Sequence, residues 1–106
     1  ASNFPVVLAA IAARLMSDAG VDAEGARGAV ECLLALAAAN VAGRDPAAAL
    51  TGPVVRGDAV TVRRHLAALA GDDEARAAYV ALSRAALGMA ALDAASAAEL
   101  RRTLDA

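Results

Sequence analysis

The residues with the most chemical capacity in this chain stand close together. Between Ala49 and Leu69 the sequence reads ALTGPVVRGDAVTVRRHLAAL, with two glycines, a proline, an aspartate, three arginines and the single histidine in one stretch. The guanidinium fork of Arg56 matches a carboxylate bidentately. His65 carries the side chain most often used as a general acid and could serve as one. Each also has a plainer role. Gly52-Pro53 marks a turn, and Gly57-Asp58 a break followed by a helix N-cap, so the segment can be helix-turn-helix punctuation with Arg56 solvated or paired to Asp58. His65 falls on or beside the apolar stripe of Val62 and Leu69, where a hydrogen-bonded structural histidine is the alternative. Arg63-Arg64 read as a solvated face, and Cys32 as a small buried hydrophobe.

Composition removes several chemistries. Every basic residue is arginine, so Schiff-base catalysis, a lysine acid and a P-loop lysine are absent from this polypeptide. TGPVVRG is accordingly no P-loop, and Arg56-Gly57-Asp58 is a chance match to an integrin-binding tripeptide. A net charge of −2 and a pI near 5.2 give no electrostatic footprint for nucleic acid. One His and one Cys far apart, without carboxylates at ligand spacing, predict no metal site. A lone thiol, no long uncharged apolar run and no signal-peptide pattern predict a cytoplasmic protein with no membrane partner.

These residues must be carried on helices. About a third of the 106 residues are alanine, β-branched alternation is nearly absent, and the only aromatics of the Phe, Tyr and Trp class are Phe4 and Tyr79. The fold class is all-α, a compact bundle of five to six helices over 1–106 as a single domain. Helix one is expected over 4–19, capped by Asn3, with Phe4, Leu8, Ile11 and Leu15 on one stripe. Helix two follows over 23–42, capped by Asp22, with Ala26, Val30, Leu33, Ala37 and Val41 on one face. Its Cys32–Ala39 half is apolar all round and needs cover on most sides. A short helix starts at Asp45-Pro46 and ends at Thr51, and a fourth runs over 59–70. A fifth covers 74–91 behind Asp72 or Asp73. Ser96 and Glu99 form a capping box for a last helix, with Leu100 and Leu104 inward and Arg101 and Arg102 in water.

ASNFPVVLAA at the start, Gly20-Val21-Asp22 after helix one and ALTGPVVRGDAVTVRRHL together resemble the C-terminal helical domain, of unknown function, of Rossmann-like oxidoreductases. That domain is similar to the C-terminal domains of pyrroline-5-carboxylate reductase and the 6-phosphogluconate dehydrogenase superfamily. The resemblance covers roughly residues 1–92. It implies a two-domain protein in which an N-terminal Rossmann domain holds NADP or NAD, while the helical domain supplies dimer contacts and one wall of the substrate cleft. This chain has no G-x-G-x-x-G, so no cofactor-binding residue is expected within it, and the superfamily's substrate-side lysine has no counterpart. The opening Ala-Ser-Asn-Phe-Pro, without an initiator Met, reads as a fragment of that longer chain.

By the same resemblance, the substrate-binding candidates are Ser2, Asn3, Thr51, Gly52, Arg56 and Asp58; His65 is the catalytic candidate by its residue type alone. Asn3 has the plainer reading of an N-cap. Two functions compete. One is the dimerisation and substrate-cleft half of an NAD(P)-dependent oxidoreductase, inactive alone, with a second copy and its own Rossmann domain as partners. The other is a freestanding helical adaptor that takes a partner's amphipathic helix in a groove.

Overall fold

The computed structural model describes residues 2–106. Among them the chain is all-helical: α1 (Phe4–Asp18), α2 (Ala23–Val41), α3 (Pro46–Ala49), α4 (Ala59–Ala68), α5 (Asp73–Met89) and α6 (Ala94–Asp105), with no strand. No helix is long and apolar enough to cross a membrane. The chain divides into two units, one ending at Asp45 and the other spanning Pro46–Ala106.

The first unit is a helical hairpin. α1 ends at Asp18, and after a four-residue connection that includes the left-handed Gly20, α2 starts behind Asp22, whose side chain accepts from the Gly25 amide at 2.7 Å. So short a connection makes the helices antiparallel neighbours. Asn3 stands at the start of α1 as expected but makes no side-chain capping bond; Pro5 in the first turn already removes one of the amides a cap would serve.

Burial in this hairpin is thin. α1 buries none of its residues, and α2 buries only Ala26 and Val30. The apolar face of α2 continues through Leu33 and Ala37 to Val41, yet those three are exposed. Cys32 is exposed too, against the expectation of a buried thiol, because the apolar half of α2 is not covered within its hairpin. Phe4 is 69% exposed and Leu36 is 62% exposed. Val6, Val7, Leu33 and Leu34 of the hairpin are exposed as well, whereas residues 46–106 expose only Val60, Leu82 and Met89 among their large apolar side chains.

The second unit holds the core. Val54, Ala59, Val62, Leu66, Val80, Leu87, Leu100 and Leu104 form one buried cluster, with Leu92 and Tyr79 packed against it. Val62 and Leu100 are fully buried, and Arg101 and Arg102 lie outside as expected. α6 packs on both α4 and α5 and is the element through which those two share a core.

Three helix starts here use the same device: Asp58, Asp72 and Asp93 each accept a bond from the backbone amide three residues on, at 3.0, 3.0 and 2.7 Å. The cap of α6 is therefore Asp93, not Ser96. Ser96 stands inside the first turn and adds its hydroxyl to Asp93 at 3.1 Å, while Glu99 turns to Arg63 at 3.4 Å. Asp-Ala-Ala-Ser and Ser-Ala-Ala-Glu are both plausible helix starts, and the earlier one wins because its carboxylate is the stronger acceptor.

Candidate functional site

The segment between α3 and α4 is a tight turn folded onto the core. Gly52 and Gly57 have φ of 102° and 70°, left-handed values that a side chain would strain. The backbone closes through Gly57 N–H to Val54 O at 3.1 Å and Asp58 N–H to Pro53 O at 2.9 Å. Val54 points into the core, which leaves Thr51 and Arg56 as the exposed residues of the turn.

Arg56 keeps 62% of its side chain exposed and lies 3.9 Å from Asp58 Oδ2. At that distance and exposure the pair contributes little, so the guanidinium fork remains available to a carboxylate. Both oxygens of Asp58 are engaged elsewhere: Oδ1 accepts from the Thr61 amide at 3.0 Å and Oδ2 from the Thr61 hydroxyl at 2.7 Å. The Thr61 hydroxyl and amide, and the nearby Arg56 charge, hold the Asp58 carboxyl below its ordinary 3.8. Bonds from the Ser96 amide and hydroxyl do the same for Asp93.

A pH dependence follows from these two caps. A carboxyl lowered in the folded state adds stability that is present above its unfolded value and lost as pH falls through the folded one. The urea midpoint of residues 46–106, read by the fluorescence of the single tyrosine, should be flat from about pH 7 to 5 and fall below about pH 4. Replacing both by asparagine (D58N, D93N) keeps acceptors at the caps without a titrating charge, so the fall should shrink. A fall of unchanged size would assign it to other carboxylates.

His65 stands about 10 Å along α4 from Asp58, at 1.5 Å per residue. It is exposed, not a core residue: Ala59, Val62 and Leu66 take the buried stripe and place it beside them. Its Nδ1 lies 2.9 Å from the Tyr79 hydroxyl on α5, and the two rings meet edge to face with centroids 5.6 Å apart. Burial raises the Tyr79 phenol above its ordinary 10.0, so it keeps its proton through the neutral range, and Ser83 also bonds the phenol. The pair orients the imidazole and ties α4 to α5. Tyr79 was not legible as a partner, because fourteen residues separate it from His65.

Arg63 is likewise more than solvated surface: it reaches Glu99 Oε1 and Thr103 Oγ1 on α6, both at 3.4 Å. Ser2 and Asn3 lie exposed at the start of α1, in the first unit, whereas Thr51, Gly52, Arg56, Asp58 and His65 belong to the second. No group of three or more His, Cys, Asp or Glu side chains able to hold a metal forms among the described residues.

Residues 1–86 match the sequence model of a family described as a domain of unknown function, DUF2520. The chain belongs to that family. No curated protein and no solved structure matches it. The match spans every candidate residue named above together with Tyr79, and it ends inside α5, so α6 lies beyond it.

Proposed function

We propose that this chain is the helical half of an NAD(P)-dependent oxidoreductase, a relative of the 6-phosphogluconate dehydrogenase C-terminal domains. In this reading it pairs with a second copy and presents the Thr51–Asp58 turn to a substrate cleft. The observation that carries the reading is the apolar surface of the α1–α2 hairpin, with Phe4 and Leu36 more than half exposed. An exposed side chain of this size is worth about 1.5–3 kcal/mol when buried, so the hairpin has a strong drive to be covered. A second copy supplies the complement, since an apolar patch on a two-fold axis faces itself.

The turn provides the chemistry. Arg56, offered on a backbone fixed by Gly52 and Gly57, suits a substrate carboxylate, with Thr51 beside it and Asp58 holding the helix start. NADP or NAD would be held by a Rossmann domain of the same protein, which this chain's sequence does not contain. The reading places the protein in the cytoplasm, where an exposed lone thiol such as Cys32 stays reduced.

Sedimentation of the chain tests the assembly: a tight symmetric dimer is expected, and a monomer that binds foreign amphipathic helices would establish the adaptor reading instead. In the intact two-domain protein, Arg56→Lys should raise KM by about tenfold or more while kcat and the fold persist, because a point charge replaces a bidentate fork. An unchanged KM with every carboxylate substrate tried would remove Arg56 from the site.

A further inference from the structure

α6 does more than complete the core of its unit. Leu100 and Leu104 share one buried cluster with Val54, the residue by which the Arg56 turn is anchored. The first turn of α6 also lies against that loop: a Cβ placed on Gly57 would stand 3.4 Å from Ser96 Cβ and 3.6 Å from Leu92 Cδ2. Val54, Leu100 and Leu104 are buried in one cluster, so opening either the turn or α6 reduces the apolar burial that both draw on. The ion pairs of α6, Arg63 to Glu99 at 3.4 Å and Arg84 to Asp105 at 2.8 Å, are exposed and individually weak, and the Arg63–Thr103 bond at 3.4 Å is long, so the shared apolar burial dominates.

We propose that α6 is a clasp for the Arg56 turn. Docking of the helix and the ordered conformation of the turn form a single cooperative unit, so a ligand captured by Arg56 tightens α6, and release of α6 loosens the turn. The consequence for a ligand rests on the reading of Arg56 given above; the mechanical coupling does not.

Native-state hydrogen exchange of the full chain, with no ligand, tests the coupling. The amides of Gly57 and Asp58, bonded to Val54 and Pro53, should open together with those of Leu100 and Leu104 and with the same denaturant dependence. Asp93→Ala removes the carboxylate that accepts from the Ser96 amide and hydroxyl, and should speed both sets about fivefold. Leu92→Ala should move both sets in the same direction. Turn amides that exchange independently of denaturant, or that stay unmoved while those of α6 accelerate, overturn the proposal. A KM indifferent to Arg56 would leave the coupling standing, and uncoupled exchange would leave the carboxylate reading standing, so the two failures are distinct.

Discussion

Leu100→Ala should destabilise residues 46–106 by about 2–5 kcal/mol, the range for a leucine truncated where the surroundings cannot collapse into the space. Leu100 is fully buried on the one helix that packs against both α4 and α5. Loss of its methyl groups therefore weakens both of those contacts at once. A unit of this size has only a few kcal/mol of net stability, so the variant should sit near or beyond its unfolding midpoint at room temperature. Tyr79 packs against the same cluster and is the only tyrosine in a chain without tryptophan, which makes its fluorescence a reporter for this unit. A urea midpoint that barely moves would mean that α6 is dispensable to the core. Because α6 lies beyond the family match, the expected loss would show that matched residues of α4 and α5 draw stability from a helix outside it.

The second large effect is expected on assembly. In the dimer proposed above, Leu33→Glu with Leu36→Glu should weaken association by a hundredfold or more, since each carboxylate would be desolvated without a partner. Helicity should be retained: both positions are exposed in the single chain, and glutamate is as good a helix former as leucine. Sedimentation equilibrium and circular dichroism on the same samples separate the two effects. A dimer of undiminished affinity would show that the apolar half of α2 is not the interface. A loss of helicity would show instead that these leucines support the hairpin itself.

Much of the local architecture could be read directly from residue types. The caps at Asp22, Asp58 and Asp72 and the left-handed Gly20 just past α1 are short-range effects, decided by a carboxylate three residues before an amide or by a residue without a Cβ, whereas α4 ends at Ala68, before the stop expected at Gly71. The all-α class follows from alanine content and apolar spacing for the same reason. Leu100 and Leu104 were legible as inward because they share one face of an otherwise polar helix. The turn at Gly52-Pro53 was legible too, from a glycine free to take a left-handed φ beside a proline.

Tertiary structure decided everything that depends on residues distant in sequence. Cys32 lies in an apolar run that reads as interior, yet it is exposed, because burial is set by what packs on a helix and not by the helix's own composition. His65 meets Tyr79, Arg63 meets Glu99, and Gly57 meets Ser96 across separations that no local pattern encodes. The choice between Asp93 and Ser96 as the cap of α6 was open locally, and the folded chain begins the helix at the earlier one. Composition and spacing thus specified which segments coil and where they stop, since those terms act over a few residues. Which faces are covered, and which side chains brace the Arg56 turn, emerged only when α4, α5 and α6 closed on a common core, since those terms act through space.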